Sequence, residues 1–447
     1  MGFKKIIVYI FLYILTGGIV ASVFLLKPTI APDYPILRTL IITFASVLLC
    51  KYFIYMFLSP WHAVLQARSE RRFKRQNPLL SIVIPAYNEG YGVLETVKTI
   101  LNSKYRNAEV IVINDGSADE SDILMKEFTS RGRLAKFANT VDRIPVRYFY
   151  KENGGKGRAL NFGIQQARGD IIITIDADCV VTPDTIGNFA KVFDNPKVMA
   201  AVGNVKIANT DTIVGVVQYL EFLFSFYFKK AESVMGSIFI IGGAAGAFRR
   251  DIFEQIGMFD HTTITEDIEL TMRIQKAGMK IVYASDAIIY TEGANSPRSL
   301  AKQRLRWKKG MFETLGKHPE LLFSTQDNHN FPLCWFLLPL CYFGNIQLGL
   351  ELFFLAFLYV YSFLTSDFAS FLSGMAVVSS MFFVIMFFEG KEHRKLGFFI
   401  LAPIAWMLFY LSTVIEFQAL VRTVWCTLTG KKVVWQNWNR QGISVPS

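Results

Sequence analysis

Hydrophobic positions are concentrated at the two ends of the chain, whereas the middle alternates short apolar runs with polar, helix-like segments. Residues 6–26 carry no charged side chain, and residues 36–58 form a second apolar run that contains only Arg38 and Lys51 as charges. About 20 such residues cross the hydrocarbon core of a bilayer as a helix. A cleaved signal peptide is disfavoured because the second apolar run follows at once. The pattern predicts a transmembrane hairpin over residues 1–60.

The C-terminal third is also apolar, from residue 331 to 388 and again from residue 396 to about 421. Three spans fit this pattern, or four if 331–362 divides in two. We expect transmembrane helices over 331–430 and a tail over 431–447, whose side of the membrane stays open. A basic cluster between Arg68 and Arg75 follows the hairpin, and such clusters favour the cytosolic side. The chain is therefore expected to be a multi-pass protein of the plasma membrane with its middle part in the cytosol.

The pattern in the middle of the chain predicts an α/β domain. Buried strands are predicted at 79–86, 109–114, 146–150 and 169–178, with helical sequence between them. Continuous apolar strands joined by helices indicate a mostly parallel sheet with both faces covered. We expect this cytosolic domain over 61–297. Ligands of such sheets bind outside the carboxyl ends of the strands.

Polar side chains follow the predicted strands at that edge. The first strand ends at Pro85, followed by Tyr87 and Glu89, and the second ends at Asp115. The fourth ends in Asp176 and Asp178, whose hard oxygen atoms suit Mg²⁺ or Mn²⁺. Each group alone is typical of an ordinary turn. Together, on one edge of one sheet, they indicate a binding site.

A glycine-rich basic loop lies between the third and fourth predicted strands, at residues 151–158, and it contains Lys156. Exposed backbone N–H groups and a following helix N-terminus favour an anion. The loop lacks the spacing of a Walker A sequence, which disfavours a P-loop ATPase. The alternative interpretation is a flexible basic loop without a ligand.

Three further groups stand in the second half of the domain. Gly243 lies in a run of small residues that permits close approach of a ligand or a backbone. Glu266 and Asp267 precede helical sequence, so they are either first-turn acids or catalytic carboxylates. Residues 303–307, Q-R-L-R-W, lie in a predicted interfacial region over 298–330. They are either a functional motif or part of an amphipathic helix that tryptophan anchors at the membrane surface.

Composition and charge exclude several classes. The 447 residues are 52 % hydrophobic, which excludes a disordered chain, and five cysteines form neither a disulfide framework nor a metal-ligand pattern. The net charge of +11 is distributed over membrane flanks and loops. Nucleic acid is therefore not expected as a partner.

Four motifs occur in a known order: N-D-G-S at 114–117, D-A-D at 176–178, T-E-D at 265–267 and Q-R-L-R-W at 303–307. Over residues 78–320 the chain resembles the membrane-embedded processive family 2 glycosyltransferases, which make cellulose, hyaluronan and poly-N-acetylglucosamine. The phrases AFRR (247–250), ITEDIEL (264–270) and KQRLRW (302–307) are most similar to the bacterial poly-β-1,6-N-acetyl-D-glucosamine branch. The resemblance implies a cytosolic GT-A (Rossmann-like) domain flanked by transmembrane helices.

The resemblance also implies a role for each motif residue. Asp267 would be the catalytic base, with Glu266 a weaker candidate, and Trp307 with Gly243 would bind the acceptor. Asp178 and Asp176 would hold Mg²⁺ or Mn²⁺. The remaining positions would bind the nucleotide sugar: Pro85, Tyr87, Glu89, Asp115, Lys156, Asp176, Gln303 and Arg306.

The implied reaction is inverting transfer of N-acetylglucosamine from UDP-GlcNAc to a growing polysaccharide, coupled to export through the membrane. The implied partners are a UDP-sugar donor, the polysaccharide acceptor and the lipid bilayer, with room for a small accessory membrane subunit. Polar residues of the C-terminal spans, Glu416 among them, are expected either to line a channel or to join helices. The alternatives are a synthase of another polysaccharide, a non-processive lipid glycosyltransferase, and a transporter or scaffold without enzymatic activity.

Overall fold

The computed structural model describes residues 35–130, 144–366, 368–388 and 404–431, with residues 401, 433 and 442 in addition. The predicted span at 6–26 and most of the predicted tail lie outside the described residues. The strands are β1 (Leu80–Ala86), β2 (Ala108–Asp115), β3 (Val146–Lys151), β4 (Ile171–Thr174), β5 (Cys179–Val181), β6 (Val198–Ile207), β7 (Gly246–Arg249) and β8 (Lys280–Thr291).

The helices divide into those of the α/β domain and those outside it. The domain contains α2 (Tyr91–Leu101), α3 (Ser121–Ser130), α4 (Lys156–Gln166), α5 (Thr185–Val192), α6 (Ile213–Met235), α7 (Ile252–Ile256) and α8 (Glu266–Lys276). The others are α1 (Pro35–Arg72), α9 (Pro297–Lys317), α10 (Leu338–Thr365), α11 (Ala369–Phe388) and α12 (Ala405–Leu428).

Within the described residues the strands form one mixed sheet in the order β3-β2-β1-β4-β7-β6-β8-β5. Strands β3, β2, β1 and β4 are mutually parallel, and β6 is parallel to β8. The pairs β4–β7, β7–β6 and β8–β5 are antiparallel. The predicted mostly parallel α/β sheet is confirmed, and its four parallel strands bring their carboxyl ends to one edge.

Side-chain alternation along the central strands supplies both hydrophobic layers of the domain. One face of β1 and β2 packs on α2, and the other packs on α4. Ile82 and Val83, adjacent on β1, are both fully buried but belong to opposite layers. Successive side chains of a strand point to opposite faces, so a strand buried on both sides must be apolar throughout. This explains why the central strands lack the polar alternation of a half-exposed sheet.

Among the residues that the structure describes, three helices are long and apolar enough to cross a membrane, by length and composition: Ile42–Arg72, Leu333–Thr365 and Ala405–Leu428. Residues 333–337 form a π-helical turn that continues into α10 without interruption, so the division of 331–362 into two spans is wrong. Helix α11 contains a shorter apolar segment, Met375–Met386.

Helix α1 joins the membrane-like part of the chain to the α/β domain. It continues through Pro60 to Arg72, so residue 60, the expected end of the hairpin, falls inside one helix. In its apolar part Tyr55 packs edge-on against Phe228 of α6 at 5.1 Å between ring centroids. Beyond Pro60, His62 Nε2 donates to the carbonyl oxygen of Tyr283 at 2.9 Å. One helix therefore holds the sheet domain against the apolar helices.

Candidate active site

A cleft of about 460 Å³ opens at the carboxyl ends of the parallel strands. Strand pairing places Ala86 beside Asn114, and Thr174 beside Val83, so Asp176 emerges level with the end of β1. The cleft is large enough for a small-molecule ligand. Its lining residues are Pro85, Ala86, Tyr87, Glu89, Asp115, Asn153, Gly155, Lys156, Gly157, Ala159, Asp176, Ala177, His261, Thr263, Ile264, Glu266 and Arg306.

Asp115, at the end of β2, organises the glycine-rich loop that forms one wall of the cleft. Its carboxylate accepts from the backbone N–H of Gly154 at 3.0 Å and of Gly155 at 2.7 Å, and it also accepts from Lys151 Nζ. The next residue, Gly116, has a φ of +75°, and a Cβ there would lie 2.7 Å from the backbone nitrogen of Asn153. Glycine is required for both reasons. Asp115 therefore fixes the loop, and the loop in turn fixes the N-terminus of α4.

Lys156, the first residue of α4, lies between the acidic groups of the cleft. Its Nζ is 2.6 Å from Asp176 Oδ1 and 3.7 Å from Glu266 Oε1. Burial by itself would lower the pKa of the Lys156 ammonium, but the surrounding carboxylates raise it above its ordinary value. The lysine is therefore a permanent positive charge on the floor of the cleft.

Glu266 and Asp267 begin α8 and occupy different positions in this cluster. Glu266 is buried and lines the cleft, and burial raises the pKa of its carboxyl even though the Lys156 charge opposes the shift. Asp267 Oδ2 accepts from the backbone N–H of Gly243 at 2.9 Å. A Cβ at Gly243 would lie 2.7 Å from Lys156 Nζ, so the small residue is needed for the lysine to reach the carboxylates.

Helix α9 closes the cleft from the side of the apolar helices. It approaches the start of α8 so closely that a Cβ at Gly310 would lie 2.3 Å from Thr265 side-chain atoms. The approach places Arg306 in the cleft wall, with Nη1 3.4 Å from the carbonyl oxygen of Ile264. Gln303 Oε1 and Arg306 Nε are buried without a hydrogen-bond partner in the part of the chain that the structure describes. Buried polar atoms are normally paired, so Arg306 Nε at the cleft wall is a candidate ligand contact, whereas Gln303 does not line the cleft.

Trp307 and its neighbour Arg304 lie on α9 beside the cleft rather than in its wall. The Arg304 guanidinium is 4.7 Å from the centre of the Trp307 ring. Arg304 also forms an ion pair with Glu221 on α6 at 2.5 Å. Glu416, an expected channel or helix-joining residue, pairs with Lys308 of α9 at 2.8 Å, which favours the helix-joining interpretation.

The structure brings most of the predicted site residues to the cleft wall but leaves others outside it. The residues in the wall are Pro85, Tyr87, Glu89, Asp115, Lys156, Asp176, Glu266 and Arg306. Asp267 and Gly243 adjoin the wall through Lys156. Asp178 does not line the cleft, and its Oδ1 lies 3.4 Å from the sulfur of Cys179.

Several lining residues were not predicted from the sequence. His261 and Thr263 come from the loop before α8, and Gly157 packs so closely on that loop that a Cβ there would lie 3.1 Å from the Cα of His261. Asn153 comes from the glycine-rich loop. The loop before α8 directly precedes the T-E-D motif, and that adjacency was the available signal for it.

The residues at the strand ends fit a divalent metal that shares its ligands with a substrate. Asp176 Oδ1 is buried at the cleft, and carboxylate oxygen is the donor that Mg²⁺ and Mn²⁺ prefer. No group of three His, Cys, Asp or Glu side chains that could hold a metal ion occurs among the described residues. Mg²⁺ typically uses one or two carboxylates and takes its other ligands from phosphates and water.

Comparison with known proteins agrees with this arrangement. The profile of Glycosyl transferase family 2 matches residues 81–257, and that of Glycosyl transferase family group 2 matches residues 171–426. A poly-beta-1,6-N-acetyl-D-glucosamine synthase of Staphylococcus epidermidis is 27 % identical over 387 residues, which are 83 % of this chain and 88 % of the relative. The synthase of the same name from Staphylococcus aureus strain COL is 32 % identical over 259 residues, 57 % of this chain and 59 % of the relative.

Among solved structures, the mannosyltransferase PcManGT from Pyrobaculum calidifontis, in complex with GDP-Man and Mn²⁺, matches with a TM-score of 0.53 at 19 % identity. The match covers 83 % of this chain and 98 % of that one. At this identity the likeness concerns the fold. The predicted GT-A fold class and the resemblance on which it depended are both confirmed.

Proposed function

This chain belongs to Glycosyl transferase family group 2 and is a hexosyltransferase, and from that premise we propose that it transfers N-acetylglucosamine from UDP-GlcNAc to the end of a growing β-linked polysaccharide. The names of the staphylococcal relatives support this sugar and a β-1,6 linkage. The observation that carries the proposal is the convergence in one cleft of Asp115, Lys156, Asp176, Glu266 and Arg306.

The donor would bind with its diphosphate between the N-terminus of α4 and helix α9. Exposed N–H groups and the helix dipole favour negative charge at the start of α4. Lys156 and Arg306 both line the cleft, so an ammonium and a guanidinium are available to this diphosphate. The nucleoside would lie along the ends of β1 and β2, against Tyr87 and the loop that Asp115 fixes.

Asp176, with Asp178 two residues further on, would hold Mg²⁺ or Mn²⁺ on the diphosphate. When bound, the ion neutralises charge that builds up on the leaving group. The Asp176 side chain is held in position without the ion, since Lys156 Nζ lies 2.6 Å from its carboxylate.

The chemical step forms a bond between the acceptor hydroxyl oxygen and the anomeric carbon of the donor, and it breaks the bond from that carbon to the diphosphate oxygen. The configuration inverts, the hydroxyl proton passes to a carboxylate, and UDP leaves with the electron pair. Asp267 is the proposed base, since the N–H of Gly243 orients its carboxylate at 2.9 Å. Glu266 remains the weaker candidate, because its carboxylate already faces a cation, with Lys156 Nζ 3.7 Å from Oε1.

The acceptor would lie against Trp307, whose flat apolar face binds a sugar ring without fixing its register along the chain. That property suits a polymer that advances by one unit in each cycle. The three apolar helices support a path through the membrane next to this platform. Export coupled to synthesis is the corresponding part of the proposal.

The test is a labelled-donor assay on the full chain in nanodiscs, with UDP-GlcNAc, UDP-glucose and UDP-glucuronate offered separately, with Mg²⁺, Mn²⁺ or a chelator. We expect a high-mass product from UDP-GlcNAc and loss of that product on chelation. Asp267→Asn should lower kcat by about 10²–10⁴-fold, as expected for loss of a general base. Glu266→Gln tests the weaker candidate, and Glu254→Gln, on an exposed surface, is the matched control. Polymer from another donor would refute the sugar assignment, and a small lipid-soluble product would refute processive synthesis.

A further inference from the structure

Arg304 occupies the second position of the Q-R-L-R-W segment, and it does not line the cleft. Its guanidinium lies between two carboxylates from different helices: Glu221 of α6 at 2.5 Å and Glu416 of α12 at 3.5 Å. The Arg304 side chain is 11 % exposed, and those of Glu221 and Glu416 are 14 % and 23 % exposed. A charge held this way has a fixed position, because leaving its partners would cost uncompensated desolvation.

The same guanidinium lies over the indole of Trp307, 4.7 Å from the ring centre. A planar cation over a tryptophan face is attracted by the ring quadrupole, and the attraction grows as the pair is removed from water. Trp307 therefore contacts a group whose own position is set by α6 and α12.

A second ion pair reinforces this link between α9 and the apolar helices. Lys308, one turn beyond Arg304, pairs with the same Glu416 at 2.8 Å and lies 3.4 Å from Asn345 Oδ1 of α10. Helices α6, α10 and α12 thus all hold the segment of α9 that carries the tryptophan.

We infer that Arg304 is a positioning residue: clamped by Glu221 and Glu416, it orients the Trp307 indole that serves as the acceptor platform. The inference rests on the proposed function, in which Trp307 binds the acceptor sugar. Under this inference the ion pairs of Arg304 with Glu221 and Glu416 do more than join helices. They make the orientation of Trp307 depend on the helices that border the proposed export path.

The first experiment is a double-mutant cycle with Arg304→Met, Trp307→Ala and the combined variant. Lys302→Met, at an exposed position of the same helix, is the control. Initial rates are measured in nanodiscs with UDP-GlcNAc and a short N-acetylglucosamine oligosaccharide as acceptor. Arg304→Met should raise the acceptor KM by about three- to thirtyfold, the range of partly buried cation–π contacts, and leave the donor KM within twofold. Lys302→Met should change neither.

The cycle separates orientation from general structural support. If Arg304 acts through the indole, Arg304→Met should add less than about twofold once Trp307 is alanine, because effects within one interacting unit are not additive. Full multiplication of the two single effects would overturn the inference. UDP binding by calorimetry checks that each variant is folded. If Arg304→Met does not bind UDP, Arg304→Lys replaces it, since lysine keeps the charge between the carboxylates but lacks the planar guanidinium.

The second experiment does not depend on turnover of any donor. The chain is labelled with 5-fluorotryptophan, and the ¹⁹F resonance of Trp307 is assigned by its loss in Trp307→Phe. We expect Glu416→Gln and Arg304→Lys to shift or broaden this resonance and Lys302→Met to leave it unchanged. An unchanged resonance in the first two variants would overturn the inference. Failure of the wild-type chain to use UDP-GlcNAc would instead count against the proposed function, while this measurement still decides the role of Arg304.

Discussion

The contact between Gly310 of α9 and Thr265 gives the sharpest test of how the cleft is assembled. In Gly310→Ala the new Cβ would lie 2.3 Å from both Cγ2 and Oγ1 of Thr265. Ordinary van der Waals contact begins at 3.4 Å, so the two helices must separate by about 1.1 Å. Glu266 and Asp267 directly follow Thr265, and Arg306 stands one turn before Gly310. The separation therefore pulls the proposed phosphate-binding arginine away from the proposed catalytic carboxylates.

Two magnitudes follow from this displacement. Overpacking of a well-packed contact costs about 1–3 kcal/mol, offset by roughly 1 kcal/mol because alanine is the better helix former. The expected net loss of unfolding free energy is therefore only about 0–2 kcal/mol. A misplacement of about 1 Å at a reacting centre costs about a hundredfold in rate. Activity should fall far more than stability.

The assay compares kcat for UDP-sugar turnover and the thermal midpoint of Gly310→Ala and Gly316→Ala in nanodiscs. Gly316 lies near the end of the same helix with no atom within 4 Å of its Cβ position, so Gly316→Ala is a glycine-to-alanine change without the collision. Thr265→Ala should partly restore Gly310→Ala, because it removes the two atoms at 2.3 Å and leaves only Cβ at 2.8 Å. If Gly310→Ala keeps the activity of Gly316→Ala, the close approach of α9 to α8 does not set the cleft geometry.

The remaining predictions concern the loop and one surface ion pair. Gly116→Ala should weaken UDP binding by at least tenfold in calorimetry, because its φ of +75° and the backbone nitrogen 2.7 Å from the Cβ position both oppose a side chain. Partial burial of Asp260 opposes ionisation, but Lys317 at 2.7 Å and the neighbouring hydroxyl hold its pKa below the ordinary value. Its ionised form thus stabilises the fold above about pH 4. Lys317→Gln should cost about 0.5 kcal/mol at pH 7, and the difference from wild type should disappear as the pH falls through the folded-state pKa.

Each of these has its own control. Gly155 also has a positive φ, +88°, but has no atom within 4 Å of its Cβ position, so Gly155→Ala should weaken UDP binding less than Gly116→Ala. Equal losses would show that backbone strain alone, and not the contact between loops, is responsible. For the ion pair, thermal unfolding of wild type and Lys317→Gln is followed from pH 7 downward through the lowered folded-state pKa of Asp260. A difference that does not begin to shrink below about pH 4 would show that Lys317 acts by packing rather than through Asp260.

Hydrophobic patterning alone predicted the four parallel strands and the sheet edge where the ligand site lies, but it did not predict β5 to β8, and it made the fourth strand (169–178) longer than β4, Ile171–Thr174. The strands predicted at 79–86, 109–114 and 146–150 are present with ends displaced by one residue at most. A strand buried on both faces must be apolar throughout, and the backbone fixes the alternation of its side chains. Such strands can therefore be identified from a short stretch of sequence. Because parallel strands share one carboxyl edge, the sequence also predicted that Asp115 and Asp176 would meet there, and both line the cleft.

Pairing between distant side chains could not be read in the same way. The sequence predicted that Lys156 contacts the nucleotide or its phosphates, but it gave no sign that Lys156 Nζ also lies 2.6 Å from Asp176 or that Asp115 accepts from the backbone of the glycine-rich loop. The structure also leaves Asp178 outside the cleft wall although Asp176, two residues earlier, is inside it. Residues 177–178 form a turn after β4 instead of continuing as extended chain, and residue types at a spacing do not encode that turn.

The sequence by itself determined which segments are buried, which edge of the sheet carries polar groups, and which family the four motifs indicate. Only the tertiary structure decided that α9 meets α8 at Gly310 and that Arg304 lies between Glu221 and Glu416. The physical reason is the separation along the chain between the residues that interact. Strand and helix periodicity arises from neighbours within a few residues, whereas these contacts join segments 45 to 112 residues apart whose approach is set by the packing of whole helices.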